Sequence, residues 1–318
     1  MAQAGKVVTV FGGSGFLGRH LVQRLAHAGW TVRVAVRYPT DAAFLKPQGD
    51  VGQIVPMRCD IRKDEEVVLA LNGADLAINL IGILYEKGAS TFQALHADGA
   101  GRIARLAKSL GVPALVQVSA IGASKDSTAA YASSKAEGEE QVRQAFPEAV
   151  IIRPSLVFGP QDGFFNLFGA MARFSPALPL IGGGLTKFQP VYVGDVAEAI
   201  VKAATDPKQA GKTFELGGPT VYSFRQLLEI LLRQIGRRRC LLTIPFGLAS
   251  FQAFFTEKLP KPPLTRDQVE LLKTDNICSG TLPGLAELGI APRSVEVELP
   301  TYVDIYRRGG RFTGPSAG

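Results

Sequence analysis

Histidine is scarce in this chain: His20, His27 and His96 are the only three in 318 residues. A histidine-built metal centre or a Ser-His-Asp triad has almost no material to form from, so hydrolase and metalloenzyme readings drop out and no metal is expected. The three cysteines, Cys59, Cys240 and Cys278, lie far apart without a CxxC pair. An odd, scattered set argues for reduced thiols and against a disulfide framework. A long apolar run is missing too. The most apolar stretch, CLLTIPFGLASFQAFF at 240–255, is interrupted by Pro245 and Gly247 and is too short to cross about 30 Å of hydrocarbon. The apolar pattern starts almost at once, at Val7, leaving no space for a secretory or transit segment, which predicts a cytoplasmic protein. Internal repeats are absent, and the Gly/Ser/Pro tail after Arg311 is expected to be mobile.

What is present is ordinary globular composition, 46% hydrophobic and 20% charged, in a chain long enough for one large core or a large domain with a smaller one attached. A net charge of +7 permits attraction to anionic lipid or nucleic acid. Basic residues cluster at Arg233 and Arg237–Arg239 and again at Arg307, Arg308 and Arg311, with no RNP-like or helix-turn-helix pattern beside them. Nucleic acid is therefore not expected as a partner.

The segment VVTVFGGSGFLGRHL, Val7 to Leu21, runs an apolar strand into closely spaced glycines and then a helical pattern. Gly12, Gly15 and Gly18 form GxxGxxG, and Gly13 with Gly15 and Gly18 also satisfies GxGxxG. Such a turn brings bare backbone against a pyrophosphate, and the helix that opens after Ser14 at Phe16 points its N-terminus at the anion. A helix over Phe16–Ala28, a breaker at Gly29 and a strand over Thr31–Val36 complete a βαβ unit. That second strand ends in Arg37, where an acidic residue would accept hydrogen bonds from a ribose 2′-OH. A guanidinium suits a 2′-phosphate, so NADP(H) is preferred and NAD(H) stays open, with Arg19 and Arg62 as secondary phosphate partners.

Strand and helix continue to alternate: strand 54–58, helix 64–71 closed by Asn72-Gly73, strand 76–81, helix 91–110 stopped by Gly111-Val112-Pro113, and strand 114–119. The fold class is α/β, a Rossmann-type doubly wound parallel sheet with a smaller C-terminal α/β domain. Ligands of such sheets sit beyond the carboxyl ends of the strands, which puts Asp60 near the adenine and Asn79 to Gly82 along the pyrophosphate and ribose. The expected Rossmann domain spans 1–155, with a return at about 189–215. The smaller domain takes 156–188 and 216–318.

Tyr131-Ala-Ser-Ser-Lys135 follows the fifth strand and opens a helical pattern. Residues i and i+4 share a helical face, so Lys135 beside Tyr131 would favour a phenolate. With GGSGFLG, the Asp60-Ile61 pair, YASSK and IIRPSLVFGP at 151–160, the chain resembles the extended or atypical branch of the short-chain dehydrogenase/reductase superfamily. QPVYVGDVAEAI at 189–200 and KTFELGGP at 212–219 extend the likeness over nearly the whole chain. The resemblance implies Tyr131 as general acid/base and Lys135 as its ribose-binding partner, with Ile61, Ser119 and Pro154 among the nucleotide contacts. Two positions depart from the pattern. The slot for the third catalytic residue aligns with Ile121, Ser119 falling early and Ser124 late, and His96 stands where the family carries an asparagine.

The C-terminal third, through KPPLTRDQVELLKTDNICSG at 261–280, LPGLAELGIAPRSVE at 282–296 and LPTYVDIYRRGGRF at 299–312, together with QAFPEAVIIRPS at 144–155, resembles the NAD(P)-binding accessory subunits of respiratory complex I and their bacterial homologues. Two functions stay open: a non-catalytic accessory or assembly subunit on the inner face of a bacterial inner membrane, or a free NADP-dependent reductase, epimerase or dehydratase using Tyr131 and Lys135. Arg237–Arg239, the apolar stretch 240–255 and Lys258 with Lys261 are either a membrane-surface element over 237–258 or a lid or core helix of the small domain.

Overall fold

A computed structural model describes residues 5–260 and 262–310. Lys261, Arg311 and the Gly/Ser/Pro tail lie outside the described residues. The chain divides into two compact units: one holds the chain up to Pro154 with Gly194–Leu216 and Gly280–Ile290, the other Ser155–Val193, Gly217–Ser279 and Ala291 onward.

The first unit is a seven-stranded sheet. Its strands are β1 (Val7–Phe11), β2 (Thr31–Val36), β3 (Ile54–Arg58), β4 (Leu76–Asn79), β5 (Leu115–Val118), β6 (Val150–Pro154) and an edge strand Thr213–Leu216. They run parallel in the order β3-β2-β1-β4-β5-β6-edge, with Val8 opposite both Val32 and Leu76. The order reverses direction between β1 and β4, where a doubly wound sheet opens its ligand crevice. VVTVF, LAIN and LVQV are buried at every position except Val7, as strands covered on both faces must be.

Helices α1 (Phe16–His27), α2 (Asp64–Leu71), α3 (Asp98–Ser109) and α4 (Ala130–Ala145) form the crossovers. In α1 the buried set Gly18, Leu21, Val22, Leu25 and Ala26 follows the helical period. On the other helices Leu71, Ile103, Ala104 and Val142 pack with Phe11, Ala77 and Leu115 in one core. Each large side chain buried there contributes about 1.5–3 kcal/mol. Gly18 lets α1 lie directly on the first turn, because a Cβ there would sit 2.5 Å from the Gly13 carbonyl oxygen.

Among the described residues the second unit contains three two-stranded pairings, of which Ala177–Ile181 with Cys240–Ile244 is the longest and is parallel. Its core gathers Phe158, Phe165, Leu178, Phe224, Leu227, Leu231 and Val303. Helices 224–234 and 266–271 both start with a reciprocal capping box, Ser223 with Gln226 and Thr265 with Gln268.

Four boundaries differ from expectation. The strand expected over 76–81 stops at Asn79, since Asn79 turns its side chain back to the Ile81 N–H and starts a loop. The helix expected over 91–110 opens with a π-helical stretch, Gln93–Ala97, before α3. Pro245 divides 240–255 into a strand, Cys240–Ile244, and a helix, Phe246–Thr256, so the apolar stretch is not one continuous amphipathic element. Finally, Gly280–Ile290 belongs to the first unit, where the Glu215 N–H donates to the Pro283 carbonyl; this second return carries no periodic signal.

Candidate functional site

The first turn builds the site. Gly12 adopts φ +79°, in the left-handed region that favours glycine. The chain then doubles back so that the Gly15 N–H donates to the Gly12 carbonyl, and α1 begins at Phe16. Among the described residues no side chain caps α1, and its first turn carries no acidic residue, leaving a positive helix end open to an anion. A Cβ on Gly15 would meet only the Gly12 oxygen within 4 Å, so bare backbone faces free space. That space is a cavity of about 530 Å³, bounded by the first turn and by the carboxyl ends of the inner strands. Its donor set and its bare glycines fit a dinucleotide pyrophosphate.

At the far end of β2, Arg37 lines the cavity, with Asp60 and Ile61 on the neighbouring wall. Asp60 and Arg62 are engaged with each other: Arg62 Nε and Nη2 reach the Asp60 carboxylate at 2.8 and 2.5 Å. These bonds hold the Asp60 carboxyl down to about 2. Among the described residues Arg37 hydrogen-bonds no carboxylate; its Nη1 donates to Ser90 Oγ at 3.2 Å. Arg19, the other secondary candidate, lies over the Phe44 ring, 5.0 Å from its centroid. Asp41, on the same rim, is exposed.

Tyr131 and Lys135 occupy the first two turns of α4. Lys135 is 4% exposed, and its Nζ approaches the carbonyls of Ile81 and Val118 at 3.3 and 3.4 Å. Burial pushes its ammonium down to about 8, against the opposing pull of Glu139. Glu139 is itself clasped by Arg153, at 2.8 and 2.6 Å. His96 is buried behind this pair. Its Nε2 accepts from the Ile83 N–H at 2.9 Å, Nδ1 meets Ser134 Oγ at 3.1 Å, and Ser134 Oγ donates to the Tyr131 carbonyl at 2.9 Å. An accepting Nε2 assigns the proton to Nδ1, so the ring is neutral. Burial and then the Lys135 charge hold it down to about 3. The Tyr131 ring lies edge-on to His96 and Phe92, at 5.3 and 5.9 Å. Ser119 Oγ, at the end of β5, is buried without a hydrogen-bond partner among the described residues.

Of the nucleotide residues expected from sequence, Gly12, Ser14, Gly15, Phe16, Gly18, Arg37, Asp60, Ile61 and Gly82 line the cavity. Five others do not. Gly13 faces the core, where a Cβ would come within 2.9 Å of Val34 Cγ1. Asn79 lies inside the sheet, its amide donating to Gln117 Oε1 at 2.8 Å, so it supports the 80–83 loop from beneath. Pro154 closes β6, its carbonyl accepting from the Ile121 N–H. Ser119 and Lys135 lie outside the lining, although Lys135 Nζ would be 3.3 Å from a Cβ on Gly82. Leu80 and Ile81 fall within the expected 79–82 stretch, while the lining residues Tyr38, Cys59, Ile83 and Leu95 were not anticipated. Most flank strand ends, the one signal that could have found them; burial raises the Cys59 thiol to about 12, leaving it an apolar wall.

Residues 8–217 match the NAD dependent epimerase/dehydratase family. The chain belongs to that family. It is 39% identical over 319 residues to the mitochondrial NADH dehydrogenase (ubiquinone) 1 alpha subcomplex subunit 9 of Arabidopsis thaliana, covering 96% of this chain and 79% of that protein. A ceramide reductase of Caulobacter vibrioides is 33% identical over 202 residues, 63% of this chain and 62% of its own. Among solved structures, the dTDP-glucose 4,6-dehydratase of Streptomyces venezuelae with NAD and TYD bound superposes with a TM-score of 0.73 at 21% identity, over 94% of this chain and 96% of that one. That likeness establishes the fold alone.

Proposed function

We propose that this chain is an NADP(H)-binding accessory or assembly subunit of respiratory complex I, peripheral on the inner face of a bacterial inner membrane, in which the nucleotide is a structural ligand and no reaction is catalysed. The observation that carries the nucleotide choice is the pairing at the strand ends. Asp60 is an ionised carboxylate engaged by Arg62, while the end of β2, where a ribose-binding acidic residue would stand, carries Arg37, which faces the cavity with a serine hydroxyl as its partner. Its guanidinium matches a 2′-phosphate. Asp41 opposes that charge from the rim, so Asp41→Asn should strengthen NADPH binding.

The subunit assignment is supported by similarity along nearly the whole chain to a protein named as a subunit of NADH dehydrogenase. The side chains around Tyr131 agree with it: Lys135 and His96 are already bonded within the protein, and the strand-end serine position, Ile121, carries no hydroxyl. A tagged chain recovered from its native membranes should bring the other subunits of complex I with it. Elution alone from the soluble fraction would overturn the assignment.

Association with the membrane surface is favoured by helix 246–256. It buries Ala249 and Ala253 and exposes Leu248, Phe251 and Phe255 at helical spacing, with Phe251 at 65% and Phe255 at 58% exposure. Lys258 and Arg266 both approach the Phe254 ring, at 5.2 Å. Among the described residues no helix is long and apolar enough to cross a membrane. Arg237 and Arg239 contribute charge but turn part of their guanidinium groups inward, to the carbonyls of Tyr306 and Ala172. The alternative reading, a free NADP-dependent reductase, epimerase or dehydratase using Tyr131 and Lys135, draws on the ceramide reductase likeness. A nicotinamide would supply the hydride there, with Tyr131 holding the proton. Turnover lost in Tyr131→Phe would favour that reading.

A further inference from the structure

The loop between β4 and the π-helical stretch carries a tight turn that neither the glycine motif nor the Tyr131–Lys135 pair uses. Lys87 and Ser90 exchange both backbone hydrogen bonds, at 3.0 Å each, around Gly88 and Ala89. Two guanidinium groups hold this turn: Arg62 Nη1 donates to the Ala89 carbonyl at 3.1 Å, and Arg37, which lines the cavity, donates through Nη1 to Ser90 Oγ at 3.2 Å. Glu86 fastens the turn's other side by accepting from the Phe92 N–H at 2.7 Å. Arg62 is fixed in turn by Asp60, so the tie at Ala89 is braced on a strand end.

The direction of the Arg37 bond matters. The Ser90 hydroxyl accepts from Arg37, so its own proton can still be donated next to a cation that faces the cavity. A group of two negative charges placed on Arg37 would find that hydroxyl as a second donor at the same spot, with the Lys87 ammonium on the same turn.

We propose that Ser90 is a specificity-determining residue: its hydroxyl donates to the ribose 2′-phosphate that Arg37 holds, and the turn Lys87–Ser90 is the strap that closes over this end of the nucleotide. The proposal rests on the reading of Arg37 given above. The loop forms one wall of the phosphate subsite, and discrimination between NADPH and NADH is shared between a strand end and a loop 53 residues later in the chain.

Calorimetric titration of the full chain with NADPH, NADH, adenosine 2′,5′-bisphosphate and 5′-AMP tests it. Ser90→Ala should weaken NADPH and the bisphosphate about tenfold, the low end for a hydrogen bond to a charged group, and leave NADH and AMP unchanged. Ser90→Thr, which keeps the hydroxyl, should behave as the wild type. Equal losses for all four ligands would make the strap purely structural and overturn the proposal, as would no loss for any. Arg37→Ala separates the layers. If it abolishes the NADPH preference while Ser90→Ala leaves that preference intact, only the role of Ser90 falls. If the preference survives without Arg37, or the wild type shows none, the reading of Arg37 falls and takes this proposal with it.

Discussion

At the glycine turn, bare backbone and an uncapped helix end face a cavity, and Arg37 waits at its rim beside a serine. Around Tyr131 the polar groups of Lys135, His96 and Ser134 already have protein partners, and His96 is held neutral. One region keeps its hydrogen-bonding capacity for a ligand; the other has turned most of it inward. Backbone donors at one strand end can thus stay open while side chains near another are satisfied within the protein.

That contrast can be broken most severely at Gly15. Gly15→Asp places an anion where bare backbone faces the cavity, and the stabilisation by NADPH, about 2.7 kcal/mol at a hundredfold excess over Kd, should vanish. Thermal melts in which NADPH shifts wild type and variant alike would sink this. Next in size, Arg37→Ala should cost about 1.5–3 kcal/mol of NADPH affinity and almost nothing for NADH, read by calorimetry. Equal losses for the two nucleotides would show that Arg37 serves packing.

His96 gives a pH test of the inward-turned region. Its folded value, about 3, lies below the ordinary 6.5, so folding disfavours the protonated ring. Its contribution is complete above 6.5 and is lost as pH falls through the window toward 3. Over the first pH unit below 6.5 the wild type should lose about 1 kcal/mol more than His96→Asn, measured by urea unfolding. Identical slopes would mean that the ring is solvated. The smallest effect is expected at the apolar helix: Phe251→Ser with Phe255→Ser should change stability by about 0.5 kcal/mol or less, since both rings are exposed, yet remove co-sedimentation with anionic vesicles. Retained sedimentation would place any membrane contact elsewhere.

The sheet was legible because its strands are apolar runs broken by glycines, and because local pattern decides where each begins. The glycine turn was legible for the same reason: Gly12, Gly15 and Gly18 stand where the backbone turns tightly and α1 packs on it. That Asn79 is bonded within the sheet and lies outside the cavity lining was not legible, because its partner, Gln117, lies on an adjacent strand and no local pattern announces a bond across strands. The bonds from Arg37 to Ser90 and from Arg62 to Ala89 are likewise products of segments meeting in space, whereas the Asp60–Arg62 pair spans only two residues and was within reach of the sequence. Gly280–Ile290 joins the first unit through a backbone bond at Pro283, which leaves no trace in hydrophobic periodicity.

If NADP(H) is held as a part of this protein's structure and is not consumed, it should stay with the protein through isolation from its native membranes. The nucleotide released when that protein is denatured should be NADP(H) in stoichiometric amount, by mass spectrometry, and the same from a Tyr131→Phe variant. Release of NAD(H), release of no nucleotide, or an altered redox state of the nucleotide in Tyr131→Phe would contradict a structural role for NADP(H).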